Sequence, residues 1–245
     1  MIALQLIGIG TGNPAHLTSE AIAALNGADL ILVPRKDNAP DLADLREAIC
    51  AAVLTRPVRI VGFDMPVRAG EDYVEAVHAW HGAIAGAWRA AIAAHLPRGG
   101  SVALLVWGDP SLYDSTLRIA ARLPDVTVRV VPGITSIQLL TAAHAIPLNP
   151  LAGAVTITTG RLLRSHGWPA GLDTLVVMLD GGCAFQTLDP AGLTIWWGAY
   201  LGMPHQALDH GPLAEAGARI AAARAELRAR HGWIMDVYLL RKNPE

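Results

Sequence analysis

The sequence predicts an α/β protein of two domains, a parallel five-stranded sheet followed by a mixed sheet, and three observations carry that expectation. In the first half, short apolar runs alternate with stretches of helical spacing, the signature of β-α units and a parallel sheet. One of those runs, Val102-Ala103-Leu104-Leu105-Val106 behind the turn signal Gly99-Gly100, is apolar at five successive positions. A strand buried on both faces reads this way, so it belongs at the centre of the sheet. In the second half strands outnumber helices and a strand closes the chain, which calls for mixed pairing. The domains are expected at 1–132 and 133–245.

In chain order, Ala3 to Ile9 is a strand running into the glycine-rich loop Gly8-Ile9-Gly10-Thr11-Gly12-Asn13-Pro14, and Leu17-Thr18-Ser19-Glu20 opens a helix that Gly27 ends. Asp29 to Val33 is a second strand, closed by Pro34. Asp41 to Leu54 has helical spacing, and Val58 to Phe63 is a third strand. A long helix follows from Glu71 to Leu96, with Gly82 and Gly86 as points where it could bend. Pro97 to Gly100 stops it, and the central strand runs into Trp107-Gly108-Asp109-Pro110. A helix is expected from Ser111 to about Leu123, with Asp109 as its cap and Pro110 at its first position. Val126 to Val131 is the fifth strand, bounded by Pro132-Gly133. After the turn-rich Leu148 to Gly153, strands are expected at 154–159, 174–179, 194–199 and 233–240, with one helix from Leu213 to Arg230.

A formal net charge of -2 offers no global attraction for phosphate backbones or anionic lipids. Nucleic acid and membrane are therefore not expected partners. No apolar run is long enough to cross a bilayer and the N-terminus lacks a signal peptide's basic region, so the cytoplasm is the expected location. Cys50 and Cys183 are too few for a disulfide framework and read as reduced thiols. The nine histidines show no ligand spacing, so no metal is expected; His78 and His81, one turn apart, read as solvated. Arg219, Arg224, Arg228 and Arg230 read as a solvated face, and the seven tryptophans as packing residues.

Three loops stand at carboxyl ends of predicted strands, where open α/β sheets bind ligands. The first, Gly8-x-Gly10-x-Gly12, has Asn13 where a dinucleotide fingerprint needs its third glycine. An NADP-dependent reductase, with Arg35 and Lys36 on the 2′-phosphate, is the alternative that this loop keeps open. The others are Trp107 to Pro110 and Pro132-Gly133-Ile134-Thr135-Ser136, the latter offering N–H groups and two hydroxyls at a helix start.

Taken together, the Gly-x-Gly-x-Gly-x-Pro-x-x-Leu-Thr opening, the strand ending in Gly108-Asp109-Pro110 and the Pro132 to Ser136 segment resemble the tetrapyrrole methylases of cobalamin and sirohaem synthesis. The resemblance runs over nearly the whole chain. It implies two α/β domains with S-adenosylmethionine in the cleft between them, S-adenosylhomocysteine as product, a tetrapyrrole substrate and a homodimer. Within the family, Trp107 to Thr116, Met178 to Gly182 and Gly232 to Asp236 most resemble members that methylate C-1 of precorrin-5 and release its acetyl group as acetate. A tetrapyrrole carrier without catalysis is the third reading.

On this resemblance the cofactor contacts are expected at Gly108, Asp109, Leu112, Tyr113, Thr135, Ser136, Leu179 and Tyr200, and the substrate contacts at Gly10, Asn13, Arg35, Lys36 and Arg161. The cations among these, with Arg164, suit a precorrin's many carboxylates. Releasing acetate needs a base for the attacking water and a donor for the oxyanion. Asp114 and Asp180 are the candidate bases, and Tyr113 or Ser115 the candidate donor. Two departures from the family's common form are Asn13 in place of aspartate and Leu179-Asp180 in place of Met-Gly.

Overall fold

The computed structural model describes residues 1–35, 40–70 and 72–243. Lys36, one of the expected substrate contacts, lies outside them. The chain divides into two compact units, Met1–Thr135 and Ser136–Glu245.

In the first unit, β1 (Ile2–Gly8), β2 (Leu30–Arg35), β3 (Arg59–Asp64), β4 (Gly100–Val106) and β5 (Val126–Val131) form one sheet in the order β3-β2-β4-β1-β5. Every pairing is parallel, as expected. The central place falls to β4, and its alternating side chains feed two cores. Val102, Leu104 and Val106 pack with Ile84 and Trp88 of α3 (Tyr73–His95), while Ala103 and Leu105 pack with Leu25 of α1 (Ser19–Gly27) and Ile49 of α2 (Pro40–Val53). Each such fully buried valine, leucine or isoleucine contributes ~1.5–3 kcal/mol relative to exposure.

Local signals set the helix starts. The Thr18 hydroxyl accepts from the Ala21 N–H at 3.0 Å, and Asp72 Oδ1 accepts from the Glu75 N–H at 2.8 Å. Gly82 and Gly86 do not interrupt α3. His81, expected in solvent, is buried, because α3 is covered by the sheet on one side. Pro34 does not close β2 but lies within it, beyond Leu32 where pairing with β4 stops. The helix expected from Ser111 is shorter, α4 (Thr116–Ala120), for a reason that belongs to the loop before it.

In the second unit, β6 (Thr156–Thr159), β7 (Thr174–Met178), β8 (Leu193–Ala199), β9 (Ala207–Pro212) and β10 (Asp236–Lys242) pair in the order β6-β7-β10-β8-β9. Only β6 and β7 are parallel, so the sheet is mixed. Its helices are α5 (Ser136–His144), α6 (Gly160–His166) and α7 (Leu213–His231). The closing strand starts three residues later than expected, because Gly232 ends α7 in the left-handed region at φ 72° and the chain needs three more residues to reach the ladder. Among the described residues no helix is long and apolar enough to cross a membrane.

Candidate functional site

In the first unit the three expected loops meet at the carboxyl edge of the sheet. Gly10 and Gly108 form an isolated antiparallel bridge, with the Gly108 N–H donating to the Gly10 carbonyl at 2.7 Å. The third loop closes on them through Gly133. A Cβ placed on Gly133 would overlap the Gly108 carbonyl oxygen and lie 2.7 Å from Gly8 Cα, so only glycines let the three backbones approach. Gly108, at φ 63°, differs: a Cβ there would meet only Thr135 Cα, at 3.8 Å. The space beside it is free for a ligand group.

Asp109 does not cap a helix. Its Oδ1 accepts from the N–H and hydroxyl of Ser111, at 2.8 and 2.5 Å, and its Oδ2 accepts from the Gly133 N–H at 2.9 Å. These bonds turn the chain at Ser111 and tie the β4 and β5 loops together, which delays α4 by five residues. Burial alone would raise the Asp109 pKa, but the bonds from Ser111 and Gly133 outweigh it and hold the carboxyl below its ordinary value. Leu112 follows in the turn, its N–H donating to the Asp109 carbonyl at 3.1 Å. Tyr113 is exposed and left-handed at φ 49°, and Asp114 Oδ1 accepts from the Thr116 N–H at 2.6 Å and from its hydroxyl.

Beneath this loop lies a residue the sequence reading missed. Arg46 of α2 is buried, with its Nε donating to the Leu105 carbonyl at 3.2 Å and its guanidinium stacked 4.6 Å from the Trp107 ring centre. Burial pushes its pKa down to about 10 against the pull of Asp114, so it stays charged at neutral pH. Its spacing of three from Ala43 and four to Cys50, both buried, was the available signal.

Of the expected substrate contacts in this unit, Gly10 is left-handed at φ 67°, and Asn13 Oδ1 accepts from the Ala15 N–H at 2.9 Å, starting a short 3-10 turn, Pro14–His16. Arg35 is exposed at the end of β2 and pairs with Glu47 at 2.6 Å.

In the second unit Leu179, immediately after β7, is left-handed at φ 52° and 65% exposed. A non-glycine residue held there is uncommon and costs ~1–2 kcal/mol. Its neighbour Asp180 is almost wholly enclosed. Asp180 Oδ1 accepts from Arg164 at 2.9 Å and from the Gly182 N–H at 3.0 Å, and Oδ2 accepts from the Tyr238 hydroxyl at 2.7 Å and the Ala184 N–H at 2.5 Å. Hydrogen bonds to a charged group contribute ~1.5–3 kcal/mol each. Burial would raise the Asp180 pKa, yet the bonds from Gly182, Tyr238 and Ala184 and the charge of Arg164 hold it below the usual carboxylate value.

The consequence for pH has a definite sign. A depressed folded pKa gives stability that is complete above the ordinary aspartate value of ~3.9 and is lost as pH falls through the folded value. Stability is therefore expected to fall below about pH 4, and Asp180→Asn to flatten that fall. A variant whose acid unfolding curve matches the wild type would contradict this.

Arg224, expected on a solvated face, is buried. Its Nε donates to Asp236 Oδ2 at 2.8 Å and its other nitrogen to the Asp180 carbonyl at 2.5 Å; Trp197 Nε1 adds a bond to Asp236 at 2.9 Å. The solvated-face reading overlooked that Arg224 continues the inward stripe Leu213, Ala216, Ile220 at helical spacing. Arg161 and Arg164 stand in the first two turns of α6, a helix without a repeating apolar stripe in the sequence; Arg161 is exposed, and Arg164 is committed to Asp180. Tyr200, directly after β8, is left-handed at φ 49° and buried, its hydroxyl donating to the Trp233 carbonyl. Ser136 opens α5. Among the described residues no group of three or more His, Cys, Asp or Glu could hold a metal ion.

A family model for tetrapyrrole (corrin/porphyrin) methylases matches residues 3–217. The chain is 46% identical to a precorrin-6A synthase (deacetylating) of Sinorhizobium sp, over 100% of this chain and 97% of that protein. It is 31% identical to a precorrin-2 C(20)-methyltransferase of the same source over 66% of each. Among solved structures, a cobalamin synthesis related protein from Corynebacterium diphtheriae superposes with a TM-score of 0.84 at 41% identity, covering 100% of both chains. The uroporphyrin-III C-methyltransferase of Thermus thermophilus complexed with S-adenosylhomocysteine shares the fold, with a TM-score of 0.61 at 21% identity over 98% of this chain and 92% of that one.

Proposed function

The chain belongs to the tetrapyrrole (corrin/porphyrin) methylase family, and we propose that it methylates C-1 of precorrin-5 in cobalamin biosynthesis with release of the substrate's acetyl group as acetate. Membership makes it an S-adenosylmethionine-dependent methyltransferase. The observation that carries the finer reading is the 46% identity, over the full chain, to a precorrin-6A synthase (deacetylating).

The residues present suit the cofactor. In the first unit the space beside Gly108 is open to a ligand group and Thr135 carries a hydroxyl; in the second the Leu179 side chain is apolar and exposed and Ser136 carries a hydroxyl. When bound, the cofactor supplies an electrophilic methyl group on a sulfonium, so the protein's task is placement. We assign that placement to Gly108, Asp109, Leu112, Tyr113, Thr135, Ser136, Leu179 and Tyr200. The substrate's carboxylates are assigned to Arg35, Lys36 and Arg161, with Gly10 and Asn13 lining the approach.

For the deacetylation, Asp114 takes the proton of the water that attacks the acetyl carbonyl, and the Tyr113 hydroxyl donates to the developing oxyanion. The bond from C-1 to the acetyl carbon then breaks, its electron pair passes into the conjugated macrocycle, and C-1 becomes the nucleophile for the methyl group. Asp180 is a poorer base, since donors engage both of its oxygens. Asp114→Asn is expected to slow acetate release by roughly 100-fold or more while leaving S-adenosylhomocysteine affinity unchanged. Release at the wild-type rate would remove Asp114 from this role.

The reductase alternative fits the first loop poorly. A pyrophosphate site needs the helix to start at the glycines, whereas Gly12-Asn13 leads into the Pro14–His16 turn and α1 begins only at Ser19. Titration of the protein with S-adenosylhomocysteine in the presence of NADPH decides between the two: tight binding without competition supports the methyltransferase, and displacement by NADPH supports the reductase. A homodimer in the cytoplasm, without nucleic acid or membrane partners, completes the proposal and rests on the family resemblance and the charge balance.

A further inference from the structure

We propose that Arg224 is a positioning residue for the cofactor, a single buried guanidinium that fixes the two left-handed strand ends Leu179 and Tyr200 together. The inference rests on the reading that these two residues contact the cofactor, and it names what holds them.

The two strand ends belong to different strands. Leu179 follows β7 and Tyr200 follows β8, and between β7 and β8 in the sheet lies β10. Neither residue gains its backbone conformation from its own chemistry, since leucine and tyrosine both disfavour positive φ. Something around them has to impose it.

On the β7 side the agent is Asp180. Its carboxylate is gripped from α6 by Arg164, from its own loop by Gly182 and Ala184, and from β10 by Tyr238, while its carbonyl accepts from Arg224. Gly160, at the start of α6, makes room for it: a Cβ there would lie 2.5 Å from Asp180 Cβ. With its side chain and its carbonyl both fixed, Asp180 and the peptide it makes with Gly181 have little freedom, and the chain leaving Leu179 is held from that side. On the β8 side the agent is β10. Asp236 is in register with Ala199, the residue before Tyr200, and the Tyr200 N–H donates to the Met235 carbonyl at 2.9 Å. Asp236 accepts from Trp197 of β8 and from Arg224.

The Arg224 side chain is bonded to both halves. Its planar fork reaches the Asp180 carbonyl with one nitrogen and the Asp236 carboxylate with another, a geometry that lysine cannot reproduce. Removing one hold should loosen the presentation of Leu179 and Tyr200.

The test uses the full-length protein with Arg224→Lys and Tyr238→Phe, which retain charge and ring respectively. Thermal midpoints identify folded variants. Expected is a rise of about tenfold in both the S-adenosylhomocysteine Kd and the KM for S-adenosylmethionine in Arg224→Lys, and a smaller rise of the same kind in Tyr238→Phe. The precorrin KM and the pH profile of kcat should stay at wild-type values, a split that mere loss of stability would not produce. If Arg224→Lys does not fold, Tyr238→Phe decides alone. Wild-type Kd and KM in the folded variants would overturn the inference while leaving the cofactor reading standing. Failure of the wild-type protein itself to bind S-adenosylhomocysteine would overturn both.

Discussion

Gly133→Ala is expected to abolish S-adenosylhomocysteine binding and to destabilise the protein by ~3 kcal/mol or more, whereas Gly108→Ala is expected to abolish binding at a cost of only ~1–2 kcal/mol. The contrast follows from what each new methyl group would meet. At Gly133 it runs into the Gly108 carbonyl and the Gly8 backbone, which belong to two other loops and cannot move aside without opening the sheet edge. At Gly108 it meets little of the protein and adds mainly the penalty of a left-handed alanine. Urea unfolding and calorimetric titration of both variants measure the two quantities separately. Wild-type affinity in Gly108→Ala would mean that the ligand does not occupy the space beside that loop.

Asp236→Ala should be the most destabilising single change in the second unit, at ~3–5 kcal/mol. Its carboxylate and the Arg224 guanidinium are both nearly inaccessible, 7% and 9% exposed at the side chain. Removing the acid leaves the buried guanidinium without the carboxylate bonded to it, and it also strips the indole N–H of Trp197 of its acceptor. Arg224→Met in the same background should recover much of the loss, since the uncompensated charge is then gone. If the double variant is no more stable than Asp236→Ala, the cost lies in lost packing around Asp236 and not in the orphaned cation.

Much of the fold was legible because its strands are short apolar runs between turn signals. The five consecutive apolar residues of β4 pointed to the centre of a parallel sheet, and that is its place. β9 was missed because Ala-Leu-Asp-His-Gly-Pro is an edge strand with alternating exposure and carries no apolar run. α6 was missed because its two turns begin with a glycine and lack a repeating stripe.

The loops of the candidate site were legible as glycines and turn residues at strand ends, but the role of Asp109 was not. Asp-Pro after a strand reads as a helix start, and only the neighbouring loop shows that the carboxylate is needed by Gly133. The charged network of the second unit was hidden for a similar reason. Arginines on an alanine-rich helix read as solvated, and the partners that draw Arg224 inward, Asp180 in the loop after β7 and Asp236 at the start of β10, lie outside the helix, where its spacing does not point to them. The left-handed conformations of Tyr113, Leu179 and Tyr200 had no sequence signal at all, since these residue types disfavour them.

Incubation of the purified protein with precorrin-5 and S-adenosylmethionine carrying a labelled methyl group, with acetate and transferred label counted together, tests the proposed activity most directly. The expected result is one acetate released for each methyl group bound to the macrocycle, with no label transferred when the methyl donor is omitted or when Gly108→Ala replaces the wild type. Methyl transfer without acetate would place the reaction on another precorrin carbon, and acetate with unlabelled macrocycle, or neither product, would contradict the assignment.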